Sequence, residues 1–247
     1  DALESLVNLA GAIFALMMVT VAAQPPDEDH PYGHHKAEYF SSGFEGVLIL
    51  VAAMAIVVAA GMRLSNPQPL EALGIGLVLS VVSSALNGAL AWAMLRKARE
   101  HRSMALEGDA RHLFTDVWTS AGVVVGLIAV HFTGWIWLDP VIAIVMGLNI
   151  AREGGMLVWR SAGGLMDQAV EPEVQAQIEA TLEGFTHHAI RFDHVTTRRA
   201  GQRRFVDMHM HMPGSWTLGR AAAVRTSVEQ ALMSAVPGLR ATIQLLP

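Results

Sequence analysis

Cysteine is absent from all 247 residues. That absence excludes a disulfide framework, an iron–sulfur cluster and any thiolate zinc site, so imidazoles and carboxylates are the ligands left for a transition metal. Charge is scarce as well: Asp, Glu, Lys and Arg make up 16% of the chain, 23 of them before residue 165 and 16 after it. The formal net charge is -5, and no basic patch interleaved with aromatics is present, so there is no electrostatic footprint for nucleic acid. Aromatic residues reach only 6%, which argues against an aromatic-walled site for organic cations. Position 1 is Asp rather than Met.

What the chain has instead is hydrophobic residues, at 52%. A bilayer core takes about 20 helical residues, and five windows of that length occur at 2–23, 39–62, 72–95, 110–132 and 135–158. Each predicts a membrane-spanning helix. Lys36, Arg96, Lys97, Arg99, Arg102 and Arg160 follow the first, third and fifth windows, whereas the second and fourth are followed only by Arg63. Because positive charge is retained on the cytoplasmic side, the C-terminal part is expected in the cytoplasm and residue 1 at the outer face. That orientation leads us to expect at least one further span ahead of residue 1. From residue 165 the pattern becomes that of a small water-exposed domain: a helix at 171–184, strands at 191–198 and 204–212 around an Ala200–Gly201 turn, a helix at 218–235 and a strand at 241–246.

Ionisable groups at membrane depth are costly and therefore candidate functional residues. Glu4 with Asn8 on the first span, and His112 with Asp116 on the fourth, are spaced i,i+4, so each pair projects from one helical face. Two carboxylates, an imidazole and an amide oxygen can cage a divalent cation; interhelical hydrogen bonding is the plainer alternative. Glu45 is read as snorkelling or paired, Asp139 as a helix cap before Pro140, and Arg152 with Glu153 as a solvated helix end. The first cytoplasmic loop, QPPDEDHPYGHHKAE, places Asp27, His30 and His34 within reach of one zinc ion, unless it is simply a solvated acidic loop. In the tail, alternation along FVDMHMH puts Asp207, His209 and His211 on one strand face and the Met residues on the other, where they serve the core.

Together the spans, the loop and the tail resemble the cation diffusion facilitator family. The resemblance rests on HLFTD (His112 to Asp116), on ESLVN (Glu4 to Asn8), on DEDHPYGHHKAE, and on LMDQA after the last span. It implies an all-α transmembrane bundle over residues 1–164, with five of six helices present and the first one missing. A ferredoxin-like αββαβ cytoplasmic dimerisation domain would then fill residues 165–247. It further implies a homodimeric, multi-pass protein of the inner membrane that is not an enzyme but a metal/proton antiporter. The expected cargo is a divalent transition metal, with Zn²⁺ foremost and Fe²⁺, Co²⁺, Ni²⁺ and Mn²⁺ behind. Glu4, Asn8, His112 and Asp116 would form the transport site. Asp193 and His209, with His211 nearby, would occupy places in a cytoplasmic zinc site, and Lys36 with Asp167 would interlock bundle and tail. A membrane-bound metal sensor or scaffold without transport is the alternative.

Overall fold

The computed structural model describes residues 2–65, 75–135, 137–186 and 189–247; side chains are described for all of these except 2–10, 75–80, 123 and 127–131. The chain divides into two compact units, Asp1–Ala162 and Gly163–Pro247.

Among the described residues the first unit has five long helices: α1 (Ala2–Ala22), α2 (Ala37–Ser65), α3 (Ile75–His101), α4 (Met104–Thr133) and α5 (Leu138–Leu165). They run for 21, 29, 27, 30 and 28 residues. At about 1.5 Å per residue, each is at least as long as a hydrocarbon core of about 30 Å is thick. Among the described residues, α2 and α5 are long and apolar enough to cross a membrane on length and composition alone, and Gly11–Ala22 is a shorter apolar stretch. Leu16, Met54, Leu86, Trp92, Val145 and Trp159 turn outward and are 61% to 79% exposed. An apolar exterior of this extent suits lipid as its solvent.

Inside the unit, small residues set the helix spacing. A Cβ on Gly154 would lie 3.0 Å from the Gly46 carbonyl oxygen and one on Gly46 would lie 3.0 Å from that of Gly154, so α2 and α5 approach backbone to backbone. Ile49, Ala53, Ile150 and Leu157 pack around this crossing, and the buried Ser42 and Ser161 hydroxyls hydrogen-bond at 2.7 Å. Gly108 brings α4 equally close to α2, since a Cβ there would stand 3.0 Å from the Ser42 Cα. The α4 N-terminus is anchored by the buried Glu38, whose Oε2 accepts from the Met104 amide at 2.8 Å.

The second unit has the order α6 (Pro172–Glu183), β1 (Arg191–Ala200), β2 (Arg203–His211), α7 (Leu218–Ala235) and β3 (Leu239–Leu246). Pro172 starts α6, where its missing N–H costs nothing, and Thr217 caps α7 by accepting from the Arg220 amide at 3.3 Å. Gly201, at φ 54°, makes the tight β1–β2 turn. The sheet order is β1-β2-β3, with β1 antiparallel and β3 parallel to β2. Val206, Met208 and Met210 face α6 and α7 in a core that also holds Ile178, Val228 and Leu232. The alternate residues Asp207, His209 and His211 face away from that core.

Candidate metal sites

Two clusters of metal-binding type occur among the described residues, each with its ligand atoms within 4.8 Å of one another: Asp27, His30 and His34, and Asp193, His209 and His211. In the α1–α2 loop, Asp27 Oδ1 lies 3.2 Å from His30 Nδ1 and Oδ2 lies 3.3 Å from His34 Nε2. The carboxylate also accepts from the His30 amide at 2.6 Å. That backbone donor above all, outweighing slight desolvation and helped by the two imidazoles, holds the Asp27 carboxyl below its ordinary value. The imidazoles of His30 and His34 are 4.3 Å apart, with His34 largely shielded. The donor set of one carboxylate and two imidazoles fits a zinc or similar ion with a fourth position left open.

The tail cluster arises from strand pairing. Asp193 stands opposite His209 in the β1–β2 register, with a bulge between Asp193 and Thr196. Asp193 Oδ2 is 2.9 Å from His211 Nε2, and Oδ1 is 3.2 Å from His209 Nδ1. Partial desolvation works to raise the Asp193 carboxyl, but His211, His194 and Arg191 outweigh it and keep it low. Two features weaken the cluster as a metal site. Arg191 Nη2, 3.6 Å from the same carboxylate, competes for it. On the neighbouring strand the residues beside His209 and His211 are Gln244 and Leu246, neither of them a good ligand for zinc.

The bundle candidates divide differently. Glu4 and Asn8 belong to α1, and their side chains lie outside the described residues. His112 and Asp116 follow one another along α4, and Asp109 extends that face at i−3 from His112. His112 points into a cavity of about 230 Å³ bounded by α1, α2, α3 and α4, lined by Gly11, Ala12, Glu45, Leu48, Leu90, Met94, Asp109, His112 and Leu113. Its Nδ1 lies 3.8 Å from Oε2 of Glu45.

Of the two readings open for Glu45, snorkelling or paired, the structure takes the second: it is buried beside His112. It is 1% exposed, because α2 is locked between α4 and α5 and directs that face inward. A signal for this was available: Glu38, Ser41, Ser42 and Glu45 recur at helical spacing and form a polar stripe on α2. Asp109 was missed altogether, although it is one turn from His112. Asp139 is no helix cap: it lies within the first turn of α5, and its Oδ2 accepts from Arg63 Nη1 at 3.2 Å. Nor is Glu153 simply a solvated end. Arg111 donates to Glu153 at 2.8 Å and lies 2.9 Å from Glu107, so the N-terminal part of α4 and the C-terminal half of α5 are joined by ion pairs. Asp167 has φ 57° and accepts from Arg198 Nη1 at 3.3 Å within the tail, while Lys36 is in the other unit.

Comparison with known proteins gives a consistent result. The family description "Cation efflux transmembrane domain" matches residues 1–166, and "Cation efflux protein, cytoplasmic domain" matches residues 170–247. A protein of Synechocystis sp. described as an uncharacterized transporter is 42% identical over 247 residues, covering 100% of this chain and 80% of that protein. The cation-efflux pump FieF of Klebsiella pneumoniae subsp. pneumoniae is 28% identical over 236 residues, covering 95% of this chain and 78% of FieF. A solved metal-bound C-terminal domain of the CzcD transporter from Thermotoga maritima is 21% identical, with a TM-score of 0.28, covering 30% of this chain and 87% of that domain.

The two family matches and the cation-efflux relatives make the apolar-surfaced helical unit and its α/β tail a membrane transporter of cations rather than an enzyme. The chain belongs to the cation efflux family, the cation diffusion facilitators.

Proposed function

We propose that the chain is a homodimeric, multi-pass antiporter of the inner membrane that exports a divalent transition metal from the cytoplasm in exchange for protons. Zn²⁺ is the foremost cargo. The observation that carries this reading is the α4 face: His112 opens on an interior cavity and Asp116 follows it one turn on, inside a helical unit whose outer surface is apolar. Imidazole favours zinc over the harder manganese and calcium ions.

Glu4, His112 and Asp116 bind metal only when deprotonated, so protons from the outer side compete the ion off and metal from the cytoplasm displaces protons. Asn8 can supply a carbonyl oxygen but takes no proton, so it holds metal without adding to the exchange count. Alternating access of the bundle completes the cycle. The cytoplasmic domain is read as ferredoxin-like, a reading supported by its αββαβ order, with Lys36 and Asp167 as the interlock between it and the bundle.

The test is reconstitution in proteoliposomes with Zn²⁺ on one side and a pH-sensitive dye inside. The expected result is Zn²⁺-dependent proton movement in the opposite direction, lost in Asp116→Ala. Saturable metal binding with no flux of either ion would replace this reading with that of a membrane-bound sensor.

A further inference from the structure

We propose that Glu45 is a direct ligand of the transported cation, shared with His112, in the cavity between α1, α2, α3 and α4. The inference rests on the transport reading above and adds to it a residue from α2. Three observations carry it.

The first is burial with direction. The Glu45 side chain is 2% exposed, yet it lines the cavity of about 230 Å³ rather than packing into solid core. Leu48, Leu90, Met94 and Leu113 form much of the remaining wall, so the carboxylate sits in a largely apolar enclosure where a countercharge is needed.

The second is distance. Two ligand atoms at about 2.0–2.2 Å from one zinc ion can lie at most about 4.4 Å apart. Glu45 Oε2 and His112 Nδ1 are 3.8 Å apart, which admits a single ion at a wide angle and needs only a few tenths of an ångström of side-chain movement to reach tetrahedral spacing. Asp109 lines the same cavity one turn toward the N-terminal end of α4, outside the ligand distance of the Glu45–His112 pair.

The third is the space kept for the carboxylate. A Cβ on Gly11 would lie 2.9 Å from Glu45 Oε1. Glycine at position 11 thus leaves room on α1 for the carboxylate, and an added methyl would displace its flexible end without touching backbone.

The experiment is Zn²⁺ flux in proteoliposomes by the full chain, read as KM and kcat separately, for Glu45→Gln, Gly11→Ala and His112→Ala. Glu45→Gln preserves shape and removes only the charge; we expect its KM for Zn²⁺ to rise at least tenfold. Gly11→Ala is expected to raise KM by threefold or more while unfolding at the same temperature as the unsubstituted chain. A Co²⁺ titration, in a background with Asp27→Ala and Asp193→Ala, supplies a spectroscopic readout: loss of a carboxylate ligand changes the visible Co²⁺ absorption of Glu45→Gln. If His112→Ala loses flux but Glu45→Gln keeps KM within twofold and an unchanged Co²⁺ spectrum, Glu45 is a packing residue and the proposal is overturned while the transport reading stands. If the unsubstituted chain moves no Zn²⁺ or Co²⁺, the transport reading fails instead. An altered Co²⁺ spectrum in Glu45→Gln would then still support the ligand assignment.

Discussion

In the helical unit Met54, Leu86 and Trp159 face outward, at 65%, 67% and 79% exposure, while Glu38 and Glu45 are 2% and 1% exposed. In the C-terminal unit the arrangement is reversed: Met208, Met210 and Leu232 are 2%, 0% and 0% exposed, and Asp207 faces outward from the same strand. The same residue types have opposite places because their solvents differ. Water drives the tail to bury its apolar side chains, whereas lipid tails are as apolar as Leu and leave helix association to small-residue packing and interior polar contacts. A charged residue in the tail is thus ordinarily a surface feature, and one inside the bundle is a candidate for function.

The largest expected effect tests the interior side of that contrast. Asp116→Ala should lower metal flux in proteoliposomes by about a hundredfold or more, equivalent to about 2.7 kcal/mol of activation free energy, with the helical content unchanged by circular dichroism. Normal Zn²⁺ efflux from the folded variant would remove Asp116 from the transport site.

Next come paired truncations at the two kinds of apolar residue. Leu232→Ala, in the tail core, should destabilise the tail by about 2–5 kcal/mol, while Met54→Ala on the outer face of α2 should change stability by less than about 0.5 kcal/mol. Equal losses in denaturant titrations of the two variants would mean that the outward face of α2 is covered by protein rather than lipid.

A smaller effect is expected at Asn8. Asn8→Asp should tighten metal binding by about tenfold at neutral pH, or about 1.4 kcal/mol, and steepen its pH dependence, since one more ligand must then lose a proton. Calorimetric titration at several pH values reads both, and an unchanged pH slope would exclude Asn8 from contact with the ion.

The interlock offers a fourth measurement, complicated by a contact that sequence did not reveal. Asp167 already pairs with Arg198, and an exposed pair of this kind contributes about 0 to 1 kcal/mol. A double-mutant cycle on Lys36 and Asp167 should therefore be run beside one on Arg198 and Asp167. A coupling above about 1 kcal/mol in the first cycle supports the interlock, and strict additivity assigns Asp167 to Arg198 alone.

The smallest effect is acid sensitivity of the tail. Desolvation works to raise the Glu171 carboxyl, but a backbone donor and the buried Arg204, 3.0 Å away, hold it below its ordinary value of 4.5. A carboxyl lowered in the folded state stabilises the fold above its unfolded value and loses that contribution as pH falls through the folded one. Thermal scans should show Glu171→Gln less stable than the unsubstituted chain at pH 7, with the difference vanishing below about pH 4. A difference that persists at low pH would trace the loss to packing rather than charge.

Much of this molecule is legible from local pattern. The tail elements follow from periodicities of 3.6 and 2, and Asp27, His30 and His34 lie within eight residues of one another, so a single constrained loop brings them together. Asp193 and His209 were within reach too, because a hairpin with a turn at Gly201 sets their register. Glu45 was not legible in the same way. Its partner His112 is 67 residues away, and the polar stripe of α2 does not by itself say which helix it faces.

By itself, then, the sequence determined the apolar windows, the αββαβ order and the local ligand clusters, since all of these depend on side-chain type and short-range spacing. Only the tertiary structure decided that Glu45, Asp109 and His112 share one cavity and that Gly11 leaves room for a carboxylate there. The reason is physical: the rotation and separation of packed helices are set by backbone approaches such as Gly46 to Gly154 and Gly108 to Ser42, which couple residues far apart in the chain and leave no periodic trace in either helix alone.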